Sequence, residues 1–174
     1  MKKIGLIIWP LKGNVEKAAL KIKNHFTNDE IDILDLSTVK PHHLLLYENI
    51  ILGSSTVGAD HWENATDDNK WYTFFHQMDI DNVDYLEKKV ALYGLGDQVN
   101  YPHNFVDGME RVYSNLSKHN FKLVGEWENK GYNFQDSLAL HDNKFRGLAL
   151  DFDNDEENAD AMIAEWVEIL KKEF

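Results

Sequence analysis

The stretch WPLKGNVEKAAL, Trp9 to Leu20, follows a short apolar run, KKIGLII, and passes through a glycine into a helical pattern. A strand, a glycine loop and a helix N-terminus together bind anions. The first amides of a helix have no backbone partners, and the helix dipole favours negative charge there. Phosphate is the usual ligand of such a turn. Yet Trp9, Pro10, Leu11 and Lys12 stand where a phosphate cradle wants hydroxyls and free amides, and proline has no amide to donate. Gly13 and Asn14 keep amides at the helix start, and Lys12 offers a full positive charge for a charge-assisted contact. The commoner fate of a lone loop lysine is solvation.

Other chemistry is weakly signalled. With no cysteine in the chain, disulfides, thiolate metal sites, cysteine-ligated iron–sulfur clusters and a thiol nucleophile are excluded. The pair His42-His43 and the scattered His61, His76, His103, His119 and His141 lack a metal-binding spacing such as HExxH. The run DFDNDEEN (151–158) has the acidity of a calcium loop without its glycine and terminal glutamate, and reads as a solvated acidic loop. Neither a nucleophile elbow nor a dinucleotide-binding GxGxxG is present.

The elements that must position these residues alternate along the chain. KIGLII (3–8), IDILDL (31–36), NIILGS (49–54), KVALYGLG (89–96) and KLVGEW (122–127) read as strands. NIILGS and KVALYGLG are nearly all apolar, as strands covered on both faces must be. Helices are expected at 15–26, where Val15, Ala18, Ala19, Ile22 and Phe26 repeat at helical spacing, and at 70–78, 104–120 and 160–174, with a short segment near His42–Leu46. Alternating strands and helices predict a parallel sheet with right-handed crossovers and helices on both faces. Five strands suit the order 2-1-3-4-5, with ligands at the carboxyl ends near the switch point. Three loops leave those ends: 9–14, 54–69 and 94–103. The region 128–147 does not fit the repeat and reads as an excursion that splits the last strand, which resumes at FRGLAL (145–150).

Composition sets the class. The 174 residues suffice for a single domain, 1–174, with a continuous core. No apolar run reaches the roughly 18–20 residues of a membrane helix. KKIGLII is too short for a signal peptide's apolar region and lacks a small-residue cleavage site, so a cytoplasmic location is expected. A net charge of −12, from 30 acidic and 18 basic residues, argues against nucleic acid and favours partners with basic faces.

VALYGLGDQVNYPHNFVDGM (90–109) strongly resembles the corresponding stretch of flavodoxins, in which a GxGDQ run precedes a Tyr-Pro or Tyr-Ala pair and an Asn-Phe. The resemblance continues through VGEW, GYNFQDSLAL (131–140), KFRGLALDFDND (144–155) and EWVEILKKEF. The 128–147 excursion resembles the extra loop of long-chain members. It implies a flavodoxin-like three-layer α/β sandwich, a five-stranded parallel sheet of order 2-1-3-4-5 with a long-chain insertion in the last strand. It also implies a small acidic electron carrier, not an enzyme, holding FMN non-covalently between three loops.

By that resemblance, Gly94 and Leu95 lead into Gly96, Asp97 and Gln98, which offer backbone groups to the pyrimidine edge of the flavin. Tyr101 stacks on the outer ring face, with Asn104 and Phe105 completing the motif; an aromatic ring covers a flat π-surface and excludes water. Tyr101 and nearby acidic residues such as Asp97, Asp60 and Asp107 disfavour the anionic reduced flavin and lower the last reduction potential. ILGSSTVG (51–58) resembles ILGxPTWG, placing Ser54, Ser55 and Thr56 at ribityl and phosphate contacts. Val57 stands where many long-chain members carry the inner stacking tryptophan, a role open to His61 or Trp62. Gly58 keeps the position whose peptide flips toward flavin N5, which glycine permits cheaply. In the first loop the family's three hydroxyl positions hold Pro10, Lys12 and Val15. Hydrogen bonds to charged groups are worth roughly 1.5–3 kcal/mol each, so their loss weakens phosphate binding unless Lys12 and the loop amides compensate.

Three functions compete. The first is a low-potential one-electron carrier, a monomer working with a flavodoxin reductase or an Fe–S oxidoreductase. The second is a divergent binding module that has lost FMN or takes a ligand without the 5′-phosphate, such as riboflavin. The third, a flavin enzyme of the quinone-reductase type, has no marked substrate pocket.

Overall fold

The computed structural model describes residues 3–56, 69–76, 84–86 and 88–174. Strand β1 (Ile4–Ile8) leads through the first loop into helix α1 (Asn14–Lys23), followed by β2 (Ile31–Asp35), two 3-10 turns, and β3 (Asn49–Ser55). Helix α2 (Lys70–His76), β4 (Lys89–Leu95) and α3 (Asp107–Leu116) come next. The remainder is β5 (Lys122–Val124), β6 (Trp127–Glu128), β7 (Leu140–His141), β8 (Lys144–Phe145), β9 (Leu148–Leu150) and the closing α4 (Glu156–Glu173).

The sheet has the predicted order β2-β1-β3-β4-β5, parallel throughout. The fifth position is split in two. β5 pairs with Lys89–Ala91 of β4, and β9 pairs further along with Tyr93–Leu95. The expected excursion therefore interrupts the edge strand, and it folds into a small antiparallel sheet of its own, β6-β8-β7. No period-2 alternation announces strands of two residues, so this small sheet is unmarked in the sequence.

β1 is buried along its whole length, as is all of β3 up to Ser55. Successive residues of β4 show that both faces are covered. Tyr93 points toward α1, where its hydroxyl meets Val15, whereas a side chain at Gly94 would meet Met109 and Val106 at the start of α3. α1 buries Val15, Ala18, Ala19 and Ile22, one stripe at i, i+3, i+4 and i+7. α1 lies beside α4, joined by Lys17–Glu156 and Lys21–Asp160 ion pairs one helical turn apart. The helix expected over 104–120 is shorter, because Val106 adopts a left-handed conformation (φ 51°) and α3 starts only at Asp107. Conversely α4 begins at Glu156, earlier than its apolar stripe suggests, since Glu156 and Glu157 favour a helix's first turn.

Candidate functional site

The carboxyl ends of β1, β3 and β4 open on a cleft of about 480 Å³. Its first wall is the turn before α1: Pro10, Gly13, Asn14 and Val15 line it. Lys12 holds a left-handed backbone (φ 59°), and its amide donates to the Glu16 carboxylate at 2.8 Å. α1 opens at Gly13 with no side-chain cap. The first amides of a helix have no partner inside it, so this terminus carries orphan donors at the cleft. Leu11 and Lys12 are exposed beside the turn. Trp9 stands behind it, its amide on the Gly53 carbonyl (3.3 Å) and its own carbonyl accepting from Trp71 Nε1 (3.3 Å).

The second wall is the end of β3. Ser55 and Thr56 line the cleft, while Ser54 is buried in the strand. The Thr56 hydroxyl donates to the Leu95 carbonyl at 3.2 Å and its amide to the same carbonyl at 3.1 Å, tying this wall to the next. Val57, Gly58, His61 and Trp62 lie outside the described residues.

The third wall is the loop after β4, where Leu95, Gly96, Asp97 and Tyr101 face the cleft. Tyr101 is 61% exposed, a ring held at the rim by a turn in which its amide donates to the Asp97 carbonyl (3.0 Å). Gly96 is required by contact: a Cβ there would sit 2.8 Å from both the Phe105 ring and the Val106 amide. Gly94 faces α3 instead. The Gly96 amide donates to the Leu150 carbonyl (3.0 Å) and the Gln98 amide to Asp151 (3.1 Å), so these two amides are engaged within the protein. Asn104 turns its side chain to Asp107 (3.0 Å), and Phe105 is buried among Tyr132, Phe134 and Phe145 of the excursion. The excursion thus braces this loop from behind. The Gln135 and Asp136 amides both donate to the Pro102 carbonyl, at 2.8 and 2.9 Å.

Sequence reasoning misses a fourth contributor. Asp153 lines the cleft, and Asn14 Nδ2 contacts its carboxylate at 3.4 Å. The DFDND run is therefore no freely solvated loop: β9 ends beside β4, which delivers residues 151–155 to the same end of the sheet. The usable signal is topological, since loops leaving neighbouring parallel strands are themselves neighbours.

Asp97 is the strongest electrostatic feature of the rim. Hydrogen bonds from the Asn100 amide (2.8 Å) and side chain (2.6 Å), with help from Asn154 and Val99, hold its carboxyl at about 2. It stays ionised at any physiological pH. The cleft carries carboxylates at Asp97 and Asp153, and Lys12 stands exposed in the turn before α1, next to the lining residue Gly13.

The flavodoxin family model matches residues 11–166. A flavodoxin of Trichodesmium erythraeum is 38% identical over 175 aligned positions, covering 100% of this chain and 99% of that one. A flavodoxin of Klebsiella pneumoniae is 31% identical, covering 99% and 98%. Among solved structures, a Fusobacterium nucleatum flavodoxin bound to flavin mononucleotide superposes with a TM-score of 0.85 at 27% identity, covering 100% of this chain and 99% of that one. With the split fifth strand and the three-walled cleft, these likenesses establish that the chain belongs to the flavodoxin family.

Proposed function

We propose that this chain binds FMN non-covalently in the cleft and serves as a low-potential one-electron carrier rather than an enzyme. The observation that carries the reading is the pairing of two ends in one cleft: at one end the uncapped start of α1 at Gly13 and Asn14, which Lys12 immediately precedes in the chain, and the exposed Tyr101 ring at the other. Orphan amides and a cation suit a phosphate. A projecting aromatic ring suits a flat heteroaromatic system. Bound there, FMN supplies the electron-transfer chemistry.

The protein's part is to position and shield. The amides near Gly13 and Asn14, together with Lys12 and the Ser55 hydroxyl, hold the phosphate and ribityl chain, and the Thr56 hydroxyl, which donates to Leu95, serves the ribityl chain as an acceptor. Leu95, Gly96 and Tyr101 exclude water from the ring, and Asp97, ionised at neutral pH, disfavours added negative charge beside it. A ligand without phosphate, such as riboflavin, would leave the α1 amides and Lys12 unused.

No helix among the described residues is long and apolar enough to cross a membrane. The proposed setting is a cytoplasmic monomer meeting redox proteins with basic faces, of the reductase or Fe–S oxidoreductase type, drawn by the −12 net charge. The test is the purified protein itself. A yellow preparation that releases FMN on denaturation supports the reading, and a colourless protein that takes up no flavin contradicts it.

A further inference from the structure

The loop leaving β9 does more than close the cleft. Asp151 is only 4% exposed, and its carboxylate gathers donors from two directions. From its own loop it accepts the amides of Asp153 (3.1 Å) and Asn154 (3.0 Å). From the loop after β4 it accepts the Gln98 amide at 3.1 Å. Asn154 completes the joint. Its Nδ2 lies 2.9 Å from Asp97 Oδ1 and 2.9 Å from Asp151 Oδ2, so one amide group, with two hydrogens, bridges two carboxylates that would otherwise repel.

We propose that Asp151 and Asn154 are positioning residues for the cleft loop 96–101, fixing the backbone from which Tyr101 projects. The proposal rests on the FMN reading for its functional consequence, but the joint itself is a property of the protein alone. Gln98 is held from both ends, by Asp151 at its amide and by the Asn133 amide on its Oε1 at 2.6 Å. The loop is thereby clamped between the split edge strand and the excursion. Neither Asp151 nor Asn154 lines the cleft, so their influence on a ligand passes through Gln98 and Asp97.

The variants are Asp151→Asn, which turns an acceptor facing the Gln98 amide into a donor in one of its two orientations, and the milder Asn154→Ala at an exposed position. Amide hydrogen exchange of the flavin-free protein reads the joint directly. Weakening the charged acceptor of the Gln98 amide predicts about tenfold faster exchange at Gln98 in Asp151→Asn, and loss of the Asn154 bridge between Asp97 and Asp151 predicts a smaller acceleration there in Asn154→Ala, with Ile7 and Leu52 of the sheet unchanged. FMN and riboflavin affinities should fall by the same factor, about tenfold, because the ring-side loop is what loosens. At saturating FMN the last reduction potential should rise.

Unchanged exchange at Gln98 in Asn154→Ala and Asp151→Asn overturns the proposal. So does equal acceleration across the sheet, which would mark general destabilisation, or an affinity loss confined to FMN, which would place the effect at the phosphate. If the unaltered protein binds neither flavin, the FMN reading fails while the exchange measurement still decides the joint.

Discussion

The Tyr93 hydroxyl, from the middle of β4, donates to the Val15 carbonyl in the first turn of α1 at 2.8 Å. It gets there by crossing Gly53 of β3, where a Cβ would lie 2.2 Å from the tyrosine's Cζ and hydroxyl oxygen. Burial first, then the charge of Glu16, pushes the Tyr93 hydroxyl well above its usual range, so it remains a donor. One residue thus links the strand behind the ring-side loop to the helix behind the anion-side turn. Tyr93→Phe should cost about 1 kcal/mol in urea unfolding, because it removes a buried hydrogen bond from a carbonyl that keeps its helical donor. Gly53→Ala should cost more, about 3 kcal/mol, by overpacking. Wild-type stability in both would show that the crossing carries no strain and the bond no energy.

Tyr101 is expected to cover the outer face of the flavin ring. Tyr101→Ala should weaken FMN and riboflavin alike, about tenfold, since the ring makes its contact on the part both share. The last reduction step should become easier as water reaches the flavin. Unaltered affinities and potentials would take Tyr101 out of the site.

The strand positions are legible in the sequence for a physical reason. β1, β3 and β4 are covered on both faces, so their residues form unbroken apolar runs that no surface element imitates. Their order follows from the parallel crossovers. Pro10, Gly13, Asn14, Val15, Ser55, Thr56, Leu95, Gly96, Asp97 and Tyr101 fall at the cleft because they leave the carboxyl ends of those strands. What stays hidden depends on contacts between distant segments. That the Gln98 amide faces inward to Asp151, 53 residues on, is invisible in GLGDQ itself. So is the role of Phe105, which belongs to an aromatic cluster supplied by the excursion.

Acid should loosen the ring-side rim in a defined window. The folded Asp97 carboxyl, held at about 2 by the Asn100 amide and its companions, lies below its ordinary 3.8. Its contribution to stability is therefore complete above pH about 4 and is lost as pH falls toward 2. In Asp97→Asn the slope of unfolding free energy against pH should flatten between pH 4 and 2, and only there. An identical slope in the variant would mean that the turn hydrogen bonds do not depend on the charge.

Partner encounter should be steered by charge. With a net charge of −12, electron transfer with a basic-faced reductase should slow as salt is added, since the Debye length falls from about 30 Å at 0.01 M to about 8 Å at physiological strength. Stopped-flow rates that stay level across that range would remove long-range attraction from the account.

The turn before α1, stripped of its hydroxyls, is expected still to recognise a phosphate, through Lys12 and the α1 amides. Titrating the flavin-free protein with FMN and with riboflavin tests this most directly. FMN should bind at least about tenfold more tightly, and Lys12→Ala should narrow the gap, because a charge-assisted contact has been removed. Equal affinity for the two flavins, in a protein that binds both, would contradict it.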